Sequence, residues 1–553
     1  MPENPDIILR NGIVYDGTGA PPVKADLAIA NGRVTKLESR IAGKGAKEID
    51  AEGQWVMPGF IDLHTHYDAE VEVLPGLEES VRHGVTTVIM GNCSLSVALG
   101  TEEELLGIFC RVESLPRELL AKWLGGRVTW KSVKEYYDHL DTLPLGPNVG
   151  SFLGHSNVRA KVMGLDRSLK VPKAHKDEIK KMRAIVREAL DAGYLGLSID
   201  MLPWHRMDGD PYRGVSVPSQ QAHPSEYAAL ADVVRERERV LQAAPNAVMK
   251  TSVARLVAMS TGILRKPLKT TIIAAMDVKT NRGIYKLATN MAKFANEFLN
   301  ADIRWQALAD PFLNFCDGVH TPLFEEFPTG VAAISSEPEK RRKMFRDPAY
   351  RKQFRKEWES RKDRVFHRNL SDMFVVSAPD ASLAGKSFAK IAKEKGKEPL
   401  ECFLDLLAEH DAELRWKTVV SNDREAPRRY VLGHEYTFPG FNDAGAHNRN
   451  MAFHDGGLKM LQQVQAHPDT MPLEKAIWKL TKGMADWLGI ETGSIRPGDV
   501  ADVAIVNPEK LKTGLGDPVE YKDPNLGGLM RMVKRSEGVV TNVLVGGKVA
   551  FEK

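Results

Sequence analysis

Cysteine is scarce in this chain: four in 553 residues, Cys93, Cys110, Cys316 and Cys402, scattered rather than set in close pairs. That excludes a secreted disulfide scaffold and fits a reducing compartment. No apolar run approaches the roughly 20 residues that cross a bilayer as a helix, so no spanning segment is expected. The opening MPENPDIILRNG lacks a basic stretch followed by an apolar one, so the expectation is a cytoplasmic protein with no membrane partner. Neither sign of charge dominates, with 76 Lys and Arg against 73 Asp and Glu, a formal net charge of +3. With no finger, RRM or basic-helix signature beside that balance, electrostatic capture of nucleic acid is excluded, and the expected partner is a small molecule. Internal repeats and low-complexity tracts are absent as well.

The length suits one large catalytic domain with an accessory, since a large barrel takes roughly 250 to 400 residues. DIILRNGIVYDGTG, DLAIANGRVTKLE and KEIDAEGQWVMPG are short β-rich runs broken by Asn-Gly and Asp-Gly turns. GSIRPGDVADVAIVNP and GVVTNVLVGGKVAFEK repeat that texture at the other end, so residues 1–58 and 488–553 are expected to build one small β module. Between them, over 59–487, apolar runs such as VTTVIMGN, NVGSFLGH and LGLSID alternate with amphipathic stretches such as KAHKDEIKKMRAIVREALDAG. Strand alternating with helix argues a parallel sheet or barrel. The densely charged stretch near 337–367 reads as a solvated helical insertion, and the Pro-, Gly- and Asp-rich 200–223 as a long pocket-shaping loop.

The chemistry concentrates in GFIDLHTHYDAE, residues 59–70. Alternate strand residues share a face, so His64 and His66 can hold one cation between them, and neutral imidazoles are good Zn²⁺ ligands. Asp443 follows YTFPGFN and precedes AGAH, a place at the mouth of the last strand where a carboxylate can serve as general base and then general acid.

MPGFIDLHTHYD, VTTVIMGNCS, NVGSFLGHSNVRAKVMG, FNDAGAHNRN and SIRPGDVADVAIVNP, in that order, resemble the amidohydrolase superfamily, and within it the N-acyl-D-amino-acid deacylase (D-aminoacylase) group. The resemblance implies a distorted TIM (β/α)8 barrel with a metal centre at the C-terminal ends of its strands, and a small β-sandwich formed by both termini. It implies deacylation of an N-acyl-D-amino acid by metal-activated water, and it makes Cys93 a ligand beside His64, His66 and Asp443. By composition alone, a lone Cys93 is more often a small buried hydrophobe.

His155, Arg159 and His447 are candidates for substrate binding, and His454 could line the same mouth. The group's pattern also expects histidines on the fifth and sixth strands, where this chain has ERVLQAAPNAV and TTIIAAMDVKT, with Gln242 and Asp277 at plausible strand ends. No lysine marks the fourth strand as a bridge between two metals; LGLSID offers only Ser198 and Asp200. One Zn²⁺ per chain is therefore expected, although loop histidines such as His205, His223 or His434 could complete a second site. Lys279 or Lys250 could meet a substrate carboxylate. The rival readings are a cyclic-amide or other C–N hydrolase and a non-catalytic scaffold. Oligomeric state is left open.

Overall fold

The computed structural model describes residues 5–246, 249–360 and 364–553. Eight parallel strands succeed one another in chain order around a curled sheet: Phe60–Asp62, Val85–Met90, Asn148–Gly154, Gly196–Asp200, Val240–Ala244, Lys269–Ile272, Asp302–Ala307 and Thr437–Pro439. The ends of the sheet meet. Leu63 and His64 both donate backbone N–H bonds to the Gly440 carbonyl (3.0 and 3.1 Å), and His64–Thr65 runs parallel to Phe441–Ala444. The product is a distorted (β/α)8 barrel. Every residue of Val85–Met90 is buried, as a parallel strand covered on both faces requires. The helix Lys176–Asp191 buries Met182, Val186, Ala189 and Leu190 at helical spacing, which is how an amphipathic helix seals the outer face.

A second eight-stranded sheet draws on both ends of the chain. Its order is Lys548–Glu552, Val540–Val545, Val503–Val506, Trp55–Pro58, Ile7–Val14, Val23–Ala30 and Arg33–Glu38, with Lys47–Asp50 also paired to Ile7–Val14. Ile505 is fully buried and stands opposite Val56 across an antiparallel pair. We propose that the two ends form one unit of stability. Ile505→Ala removes a buried core side chain, a change worth about 2 to 5 kcal/mol. Amide exchange is then expected to quicken in Ile7–Val14 and Trp55–Pro58 as well as in Val540–Val545. Faster exchange confined to residues after 500 would show that the ends are independent.

Between the seventh and eighth barrel strands, Leu313–Asp317, Met373–Ser377 and Arg415–Val419 form a three-stranded antiparallel sheet. The charged stretch lies here as the helices Pro338–Arg346 and Pro348–Glu359, its residues 361–363 being outside the described ones. It does more than face solvent. Phe345, Phe354 and Trp358 are buried in a second core, and Arg341, also buried, grips both oxygens of Asp411 at 2.6 and 2.9 Å. The charges hid an aromatic stripe at helical spacing.

Candidate metal centre and active site

Side chains from the C-terminal ends of several barrel strands converge on one point, the usual place for chemistry in this architecture. His64 and His66 leave the first strand, Cys93 follows the second, Gln242 and Gln306 belong to the fifth and seventh, and Asp443 follows the eighth. The backbone there is constrained. Gly91 (φ +74°) turns the chain after the second strand, and a Cβ at that position would lie 2.0 Å from the Phe152 carbonyl oxygen. Cys93 and Asp443 adopt φ of +51° and +52°, a left-handed conformation that costs energy in residues other than glycine and is typical of functional sites.

The imidazole Nε2 atoms of His64 and His66 stand 3.2 Å apart, and the Cys93 Sγ is 3.5 Å from His64 Nε2. Donors at 2.0 to 2.3 Å from one tetrahedral ion are separated by about 3.3 Å (N to N) and about 3.5 Å (N to S), so these three buried groups fit a single Zn²⁺-like cation. Their surroundings orient them for it. His64 Nδ1–H donates to Gln306 Oε1 at 2.7 Å, which leaves the Nε2 lone pair facing the site. His66 Nδ1 lies 3.0 Å from the buried carboxylate of Glu113, the carboxylate–imidazole partnership common behind metal ligands. Cys93 is positioned through its backbone N–H, which donates to Gln242 Oε1 at 3.0 Å. Asp443 Oδ1 approaches His66 Nε2 and His64 Nε2 at 3.3 and 3.6 Å.

Electrostatics point the same way. Burial pushes His64 down to about 3, so it is a neutral donor. Burial also opposes charge on His66, but Glu113 and Asp443 on either side outweigh it and hold that imidazole well above its ordinary value. Burial alone would raise Asp443; the hydrogen bond and charge of His66, helped by His64, carry it below the usual carboxylate range. Burial pushes the Cys93 thiol up to about 12, so a thiolate there needs a cation beside it. Positive charge is wanted at the point where the donors meet.

A cavity of ≈530 Å³ opens over this cluster, with His64, His66, Cys93, Glu113, His205, Asp443 and His447 at its polar end. The rest of its wall is largely apolar, with Trp204, Met276, Trp305, Phe366 and Phe441 among the lining side chains. Arg364 is the single Lys or Arg on that wall among the described residues.

Other expected residues lie elsewhere. His155 and Arg159 do not line the cavity: both are fully buried and both bond Glu226, His155 Nε2 at 2.9 Å from its Oε1, while Arg159 also donates to the Ser168 and Val171 carbonyls. They tie a helix to its neighbour. His454 is stacked on His83 with ring centroids 6.4 Å apart, away from the mouth. Asp277 lies past the sixth strand and is held by Arg282 and Arg424. Lys279 pairs with Asp372, and the Lys250 side chain lies outside the described residues. His447 does face the cavity, its Nδ1 3.4 Å from Ser114 Oγ.

Three residues were missed by sequence reasoning as parts of the site: Glu113, Gln306 and His205, the last considered only as a metal ligand. His205 comes from the 200–223 loop. Its Nδ1–H donates to Asp200 Oδ2 at 2.8 Å, Asp200 is fixed in turn by the Leu202 N–H at 2.7 Å, and the ring lines the cavity. A lone glutamine at the end of an apolar strand was a usable signal for Gln306. Glu113 closes a helix between two strands and carried none.

The model of the amidohydrolase family matches residues 47–251. An uncharacterized protein of Mycobacterium tuberculosis (strain ATCC 25618 / H37Rv) is 40% identical over 559 residues, covering 99% of this chain and 92% of the relative. D-aminoacylase of Alcaligenes xylosoxydans xylosoxydans is 31% identical over 194 residues, 35% of this chain and 37% of that protein. In three dimensions the chain is similar to N-acyl-D-glutamate deacylase of Bordetella bronchiseptica, solved with zinc and a phosphonate mimic of the tetrahedral intermediate. The TM-score is 0.66 at 22% identity, over 99% of this chain and 97% of that one. With the barrel, the HTH strand end and these likenesses in agreement, the chain belongs to the amidohydrolase family.

Proposed function

We propose that this protein is a metal-dependent hydrolase that cleaves the amide bond of an N-acyl amino acid of D configuration. The observation that carries the reading is the buried triangle of His64, His66 and Cys93, with Asp443 against its edge, at the floor of a largely apolar cavity. Zn²⁺ held by those three residues would supply Lewis acidity toward the amide carbonyl and toward water.

The chain's own groups do the rest. Asp443, kept ionised by His66, accepts a proton from the attacking water and delivers it to the departing amine nitrogen. His205 stands behind a fixed hydrogen bond to Asp200, and although burial lowers its pKa, the Asp200 charge outweighs that and raises it. Its Nε2–H can then donate to the oxygen that gains charge as the carbonyl becomes tetrahedral. The apolar wall excludes water and accepts an acyl chain or an apolar side chain, and Arg364 offers a guanidinium to the substrate carboxylate.

Amine release from matched N-acetyl-D- and N-acetyl-L-amino acids, with Zn²⁺ added, tests the proposal. Release from the D series alone is expected. Turnover of cyclic amides instead would transfer the site to that chemistry, and no turnover of any amide by fully metallated protein would favour a scaffold. The role of His205 has its own measurement. His205→Asn is expected to lower kcat by about 100- to 1000-fold, the worth of one oxyanion donor, with KM little changed; an effect on KM alone would remove His205 from the reaction.

A further inference from the structure

We propose that the face built by the helices Lys250–Ser260 and Ile284–Phe298 docks on an anionic lipid surface, so that amphiphilic substrates pass from a bilayer into the cavity. Six of the eleven large apolar side chains left exposed among the described residues fall within residues 249–298: Met249, Ile263, Leu264, Leu287, Phe294 and Phe298. The last three sit on one helix. Leu287, Phe294 and Phe298 repeat at helical spacing along about 16 Å of one helix. The rings of Phe294 and Phe298 pack on each other with centroids 5.3 Å apart, although each side chain is more than half exposed. The turn that carries Ile263 and Leu264 is fastened beside the end of that helix, where the Gly262 N–H donates to the Asn300 carbonyl at 2.7 Å. Leu264 is fully exposed and held at φ +60°, so an apolar side chain is thrust into solvent on a strained turn with no packing return inside the chain.

The patch runs into the cavity. Leu287 is both exposed and part of the cavity wall, and Met291 and Val253 beside it line the same space. An acyl chain leaving a bilayer at this face would meet apolar side chains all the way to the polar end.

Charge selects the occupant. Residues 249–299 hold nine of the 76 Lys and Arg but only two of the 73 Asp and Glu, so this segment is strongly basic while the remainder of the chain is net negative. Arg255, Arg265, Lys266, Lys286 and Lys293 are exposed around the apolar side chains. Lys266 pairs with Glu238 and Arg265 donates to the Thr261 and Ala258 carbonyls, whereas Lys293 has Glu297 only at 3.9 Å, loose enough for it to turn toward a phosphate. An apolar centre with a basic rim is the pattern of proteins that lie on the headgroup layer without crossing it. A second copy of the chain would set the same cations against each other. Among the described residues no helix is long and apolar enough to cross a membrane.

Co-sedimentation of the full chain with phosphatidylcholine vesicles, with and without phosphatidylglycerol, tests the docking without any hydrolysis, so it stands or falls apart from the reaction proposed above. Binding is expected to the anionic vesicles and to weaken as salt is raised. Phe294→Ser and Phe298→Ser should each lower the partition by about tenfold, and Lys286→Glu with Lys293→Glu should remove the preference for phosphatidylglycerol, all with thermal unfolding unchanged. Failure to bind anionic vesicles, or binding indifferent to both phenylalanines, overturns the proposal. So does a dimer in sedimentation velocity that the Phe294→Ser, Phe298→Ser pair abolishes, which would give the face to a second copy.

Discussion

Asp443→Asn is expected to lower kcat by about two to four orders of magnitude, the usual worth of general acid–base catalysis, while leaving the fold intact. The amide has the shape of the carboxylate but cannot accept a proton. Asparagine is among the few residues that occupy the left-handed region at modest cost, and Asp443 sits there at φ +52°. The backbone therefore has no reason to move, and thermal unfolding should match the parent protein. The donor triangle of His64, His66 and Cys93 is untouched by the change, so bound metal should be largely retained. A variant that keeps its metal and its stability but loses turnover assigns proton transfer to Asp443. Near-normal turnover would remove it from that role, and loss of metal with turnover would make it a ligand first.

Legibility in the sequence followed the range of the physics involved. The barrel could be read because parallel strands buried on both faces are continuous apolar runs, and because helix and strand alternate at the right lengths. His64 and His66 could be read because a two-residue spacing on a strand puts both on one face. Asp443 and Cys93 needed the resemblance, since a lone acid or thiol after an apolar run has a common structural reading. His155 and Arg159 failed for a related reason. Their strand-end position suggested substrate, but whether Glu226 lies within reach is decided by a helix 67 and more residues away along the chain. Glu113 comes from a helix end whose composition does not record where it lands in space, and although the composition of 200–223 marks a pocket-shaping loop, it does not single out His205 within it. The exposed stripe Leu287, Phe294, Phe298 has the periodicity of a buried helix face, so only its exposure in the fold distinguishes it from core.

One tightly held metal per chain is the second result with a large expected effect. A binuclear centre needs donors from several strands, and among the described residues the donors that lie close together, His64, His66 and Cys93 with Asp443 against them, gather round one point. The fifth strand supplies Gln242, whose Oε1 is already engaged by the Cys93 N–H at 3.0 Å. The sixth strand ends in Ile272, and Asp277 beyond it is neutralised by two arginines. An amide oxygen is a weak partner for a cation that prefers imidazole and thiolate. Three protein donors also suit a catalytic zinc, which keeps one position open. Elemental analysis of extensively dialysed protein should therefore find one equivalent. His66→Ala or Cys93→Ala should empty the site and abolish turnover. Gln306→Met, which leaves the ligands but frees the His64 ring from its anchor, should weaken metal affinity by about 10- to 100-fold. That graded loss separates a ligand set organised by its surroundings from three residues that merely lie close together. Two equivalents of metal in the parent protein would overturn the mononuclear reading. If none is retained and added Zn²⁺ restores no hydrolysis, the cluster is a relic of the family's chemistry on a barrel kept for another purpose.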